Sequence, residues 1–167
     1  MRVLFKITER LRHETIAALM RPHPFAAERV AFFKCRVGAT AHSLIVLTHD
    51  VHHVSDEDYL DDPSAGATMG AQAIRNALQV SYHQKVSMFH VHIHEHRGRP
   101  GFSRTDFRES ALFVPDFWNV QPALPHGAIV LSEDSAWGRC WYPGYAKPID
   151  IDDFAFVGLP SRCIWKS

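Results

Sequence analysis

The sequence predicts one α/β domain built on a mixed β-sheet, and three observations carry that expectation. The chain has 167 residues without a Gly/Ser linker, an internal repeat or a low-complexity stretch, which is the size of a single domain able to bury a core. Apolar runs of period 2 mix irregularly with helical patterns, in the order α-β-β-α-β-α-β-β-β, so the strict βα alternation of a doubly wound sheet is absent. Four histidines alternate in His90-Val91-His92-Ile93-His94-Glu95-His96, and the alternation places His90, His92 and His94 on one side of one strand, with His96 just past its end.

Taken in order, residues 8–20 read as a helix: Thr8 is a cap, and Leu11, Thr15, Ile16, Leu19 and Met20 share a face. Pro22 and Pro24 end it. Residues 29–36 and 43–48 read as two strands of a hairpin, turning beyond Gly38. His49, His52 and His53 then fall in a loop, followed by the acidic run from Asp56 to Asp62. A second helix is expected over residues 64–79, burying Met69, Ala73, Ile74, Ala77 and Leu78. Residues 85–94 form the histidine strand, closed by the turn Arg97-Gly98-Arg99-Pro100-Gly101. Ser103 is an N-cap for a helix over residues 105–112. Residues 127–132 and 137–142 make a hairpin, and a last strand covers residues 149–157.

Bulk composition narrows the function classes. Lys plus Arg number 18 and Asp plus Glu number 18, a balance that argues against nucleic-acid binding. No apolar run approaches the ~18 residues that span a bilayer, and the charged start MRVLFKITERLRHE lacks the apolar core of a signal peptide. Cys35, Cys140 and Cys163 are scattered, without a CxxC spacing, and fit a reducing compartment. A cytoplasmic protein, with no membrane and no nucleic acid among its partners, is the expectation.

The histidines carry the chemistry. An H-x-H pair on a strand sets two imidazoles about 7 Å apart at their Cα atoms, close enough to share one metal. A zinc hydrolase also needs a third ligand, an open position for water and a base for that water's proton. Asp106, at the start of a helix just past the Gly/Pro turn, is the candidate third ligand.

In this pattern the chain resembles the JAMM metalloprotease family. Glu28 heads the run Arg29-Val30-Ala31-Phe32-Phe33, His92-Ile93-His94 follows some sixty residues later, and Ser103-Arg104-Thr105-Asp106 supplies S-x-x-D. The surrounding order agrees over residues 8–141. The resemblance implies an MPN/JAB-like fold, a cytidine-deaminase-like three-layer arrangement with a strand-borne zinc site, in a bacterial JAB-type member. It further implies one Zn2+ per chain held by His92, His94 and Asp106, with Glu28 as general base and Ser103 stabilising the oxyanion. The implied activity is hydrolysis of a peptide or isopeptide bond, releasing or processing a ubiquitin-like protein, with an activating protein partner in many relatives.

The chain departs from the family where Glu95 replaces the usual proline, and where the eleven residues between His94 and Asp106 exceed the usual gap by one. Pairing His94 with His96 is the alternative register, and His90 or His96 is an alternative ligand or lies behind the ligands. Two further readings stay open. His90-Val91-His92-Ile93-His94 also matches the strand of histidine-triad nucleotide hydrolases and transferases, which need no metal, and an inactive MPN scaffold is the third. Each residue has an ordinary role as well: Glu28 as a surface carboxylate, and Ser103 with Asp106 as a helix cap and first-turn acid.

Overall fold

The computed structural model describes residues 1–22, 28–62, 66–158 and 162–165, the last four as backbone. The chain opens with a strand, β1 (Arg2–Thr8), ahead of the expected helix. Val3, Phe5 and Ile7 are buried, and Arg2 and Lys6 occupy the alternate positions. Those two charges obscure the apolar periodicity to a reader of the sequence. Thr8 then caps α1 (Glu9–Leu19), its hydroxyl accepting from Leu11 N at 3.2 Å. The proposed stop at Pro24 lies outside the described residues.

β2 (Val30–Ala39) and β3 (Ser43–His53) form the expected antiparallel hairpin, extended at both strands. A bulge between Lys34 and Cys35 lets the pairing run on, so that Ala31 opposes His53 and Phe32 opposes His52. His49, His52 and His53 therefore sit on a strand and not in the expected loop. Beyond a 3-10 turn at Asp56–Asp58 come two short strands, β4 (Tyr59–Leu60) and β5 (Thr68–Met69), which pair with each other. The second helix, α2 (Ala71–Gln84), starts later than expected because Thr68 and Met69 are taken by β5. Its proposed first residue, Ser64, lies outside the described residues.

β6 (Ser87–Ile93) is the histidine strand, and α3 (Arg104–Phe113) is the helix capped by Ser103. A 3-10 segment, Val114–Asn119, leads to the hairpin of β7 (His126–Leu131) and β8 (Ala136–Trp141). The expected single last strand is divided into β9 (Ile149–Asp150) and β10 (Asp153–Val157), and β11 (Arg162–Trp165) follows.

One sheet takes in nine of these strands, in the order β11-β10-β1-β3-β2-β6-β7-β8-β9. β1 is parallel to β3 and β10, and β6 is parallel to β7; the other pairs are antiparallel. The expected mixed sheet is present. β9 and β10 lie far apart in that order, yet only Ile151 and Asp152 join them. Ile151 N donates to Gly138 O of β8 at 2.9 Å, and Asp152 N donates to Val3 O of β1 at 3.0 Å. The sheet must curl until β8 approaches β1.

The inner face of the curl holds the larger core, including Val3, Phe5, Phe33, Phe89, Val91, Ile129, Cys140 and Phe154, against which Leu11, Ile16 and Leu19 of α1 pack. Phe5 stands within 5.5–5.8 Å of the rings of Phe33, Phe89 and Phe154. Burying each such ring contributes about 1.5–3 kcal/mol. The other face carries a second core, where Ala73 and Ala77 of α2 meet Val30, Phe32 and Met88. Helices thus cover both faces of a curled sheet. Among the described residues no helix is long and apolar enough to cross a membrane.

Candidate metal centre

β6 separates two tasks by its pleat. Phe89, Val91 and Ile93 point into the larger core, while His90 and His92 point to the face of α2 and α3. β2 lies antiparallel beside it with Val30 opposite His92. Continued two residues beyond β2 and β6, that register carries Glu28 toward His94. Glu28, His92 and His94 indeed gather, with one potential ligand atom from each lying within 4.8 Å of the others.

α3 brings the remaining residues. Ser103 and Asp106 form a capping box: Asp106 N donates to Ser103 Oγ at 3.1 Å, and Ser103 N donates to Asp106 Oδ2 at 2.7 Å. The ordinary reading of S-x-x-D as a helix cap is therefore correct, and it coexists with a place in the site. The same Oδ2 stands 3.7 Å from His92 Nε2. The tightest group of donors is thus Glu28 with the two imidazoles, and Asp106 flanks it from the helix side. Glu28, His90, His92, His94, Ser103 and Asp106 all line one cavity of about 580 Å³.

His96 is not among the lining residues. It is exposed, and its Nδ1 lies 2.9 Å from Arg97 O. His92 and His94 line the cavity together, and His96 lies outside it. His90 lines the cavity one step further along β6, between the rings of Phe32 and Phe113 at 5.5 and 5.2 Å.

Electrostatics follow from burial. Desolvation pushes His92 down to about 4, opposed by the Asp106 carboxylate and aided by His94, and pushes His90 down to about 3. Both rings are neutral near pH 7, the form that binds a metal. His92 is 2% exposed, and its Nε2 has no hydrogen-bond partner among the described residues. A buried polar atom of this kind normally has one. The Glu28 carboxyl is raised above its usual range, mainly by burial and further by Asp106, while His94 lowers it. Two imidazoles with flanking carboxylates are a donor set suited to zinc.

Glu28 is held by residues the sequence did not single out. Arg29 is buried, and its guanidinium donates to Arg21 O and Pro22 O at 2.8 Å each and to Asp56 Oδ1 at 2.5 Å. Tyr59 OH accepts from Val30 N at 2.8 Å, and Glu28 N donates to Gly66 O at 2.8 Å. The acidic run is consequently structural in part: Asp56 holds Arg29, and Asp58 accepts from Asn76. Trp118 and Trp141 belong to a small core with Val114 and Ala128 and do not line the cavity. Trp137 packs on Phe102 and Phe107 at 5.1 and 5.9 Å. Gly66 falls inside the helix expected over residues 64–79, and Arg29 and Tyr59 act through distant partners, so local patterns mark none of the three.

No family model matches this chain, and no curated protein matches it.

Proposed function

We propose that this chain is a zinc-dependent peptidase or isopeptidase of the JAMM type, acting on a ubiquitin-like protein or its conjugate. One observation carries the reading: Glu28, the His92/His94 pair and the Ser103/Asp106 pair come from three separate segments and converge on one cavity. In this reading the curled mixed sheet is an MPN/JAB-like domain, and His92, His94 and Asp106 hold one zinc. Bound there, zinc would polarise the scissile carbonyl and bring the pKa of water to about 7.

The chain's own residues supply the rest. Glu28, with its carboxyl raised by burial, takes a proton from the attacking water and returns it to the leaving amine. Ser103 Oγ accepts from Asp106 N, which leaves its own hydroxyl proton to donate to the developing oxyanion. The apolar wall of Val30, Met69, Ile74 and Phe113 limits water around the reacting bond. The free, buried thiols of Cys35 and Cys140 suit a reducing, cytoplasmic setting.

Metal analysis of the purified protein tests this reading. Wild type and Glu28→Gln should each carry about one zinc per chain, and Asp106→Ala should lose it. Only wild type should then cleave a ubiquitin-like fusion. Zinc lost from Glu28→Gln and kept in Asp106→Ala would exchange the two carboxylate roles. No zinc in wild type after zinc is supplied would end the metalloprotease reading.

A further inference from the structure

Glu28 precedes β2, so the sheet's hydrogen bonds do not fix its side chain. Its neighbour is Gly66, whose carbonyl accepts from Glu28 N. A β-carbon added at Gly66 would stand 2.8 Å from Glu28 Cδ, 2.9 Å from Oε2 and 3.1 Å from Oε1. All three of those contacts fall on the carboxylate and none on backbone. Gly98 and Gly144 are the glycines whose positive φ calls for glycine, and at Gly66 it is the close approach of the Glu28 carboxylate that does so. Glycine at this position provides space.

We propose that Gly66 is a positioning residue: its missing side chain leaves the room in which the Glu28 carboxylate sits against His92 and His94. This rests on the reading of Glu28 as the working carboxylate of the site. A methyl group at position 66 meets the flexible end of a side chain, so the protein yields at little cost to the fold. What yields is the carboxylate itself. A displacement of about 1 Å of a reacting group is enough to cost on the order of 100-fold in rate.

Gly66→Ala, Glu28→Asp and the double variant test this, with crystal structures of the metal-free proteins and turnover of a zinc-loaded ubiquitin-like fusion assay. Gly66→Ala should melt near wild type and bind zinc equally. Its Glu28 carboxylate should move by about 1 Å or more, and kcat should fall roughly 100-fold with KM little changed. Aspartate withdraws the carboxylate by one methylene, so in the double variant the two losses should be clearly less than multiplicative. A Gly66→Ala structure with the carboxylate unmoved, or with turnover equal to wild type, would overturn the proposal. The crystal structures decide it independently of activity. Absence of zinc from wild type, or full turnover by Glu28→Gln, instead sinks the functional reading and leaves the positional result standing.

Discussion

His126→Asn should flatten the acid side of the stability curve. His126 is fully buried at the start of β7 and stacks on Phe117 at 5.1 Å. Met88 N donates to its Nδ1 at 3.1 Å, so the ring hydrogen is on Nε2, which faces Gln121 O at 3.4 Å. Burial pushes this histidine down to about 4. The unfolded chain, with a pKa near 6.5, binds a proton more readily than the folded one. The stability that neutral His126 contributes is therefore complete above pH 6.5 and drains away as the pH falls toward 4. From those two values the loss is roughly 2 kcal/mol by pH 5, with a limiting slope of about 1.4 kcal/mol per pH unit. Asparagine keeps an acceptor for Met88 N and cannot titrate. It should weaken the protein near pH 7.5 by about 1–3 kcal/mol through the lost ring contacts. Urea unfolding at half-unit steps from pH 7.5 to 4.5, with chelator present, gives both curves. His90 and His92 titrate in the same direction in both proteins, so the difference isolates position 126. Parallel curves would refute the assignment of a buried, neutral His126.

Two further outcomes follow from the core. Gly127→Ala should destabilise by at least about 2 kcal/mol in the same urea assay, because its β-carbon would fall 2.4 Å from the Phe89 ring and 2.5 Å from Arg139 O, neither of which can retreat; a loss below about 0.5 kcal/mol would contradict that packing. In a Cys163→Ser background, Cys35 and Cys140, whose thiols burial pushes up to about 12, should ignore DTNB at pH 8 until urea unfolds the chain. Reaction of either thiol on mixing would contradict their burial.

What the sequence revealed was local. The β6 histidines announce themselves by alternation, and Ser103 with Asp106 forms the very cap that the S-x-x-D spacing suggests. What it concealed was long-range. β1 alternates as cleanly as β6, but Arg2 and Lys6 on its outward positions read as a charged tail. The stretch over residues 149–157 is uniformly strand-like, and nothing local says that it must change partners after Asp150, crossing from β8 to β1. His126, between Pro125 and Gly127, resembles a turn residue and is one of the most buried side chains of the fold. The roles of Arg29 and Gly66 depend on chain that approaches from far away, so no periodicity could mark them.

The protein's own bonds organise the site. Sheet register sets His92, the Arg29 clamp fixes the chain that carries Glu28, and the capping box fixes Asp106. A zinc finger differs, because there the metal supplies the folding energy and the ligands find their places only with it. Here the arrangement costs stability. An imidazole nitrogen left buried without a protein partner costs about 1–3 kcal/mol, and burial beside Asp106 raises the Glu28 carboxyl. A hydrophobic residue at position 92 would remove the first cost, and a neutral one at position 28 the second. Structure kept at such expense is characteristic of residues held for chemistry. The convergence of Glu28, His92, His94 and Asp106 on one cavity is what the proposed zinc reading rests on, and a cation held there would satisfy the His92 nitrogen.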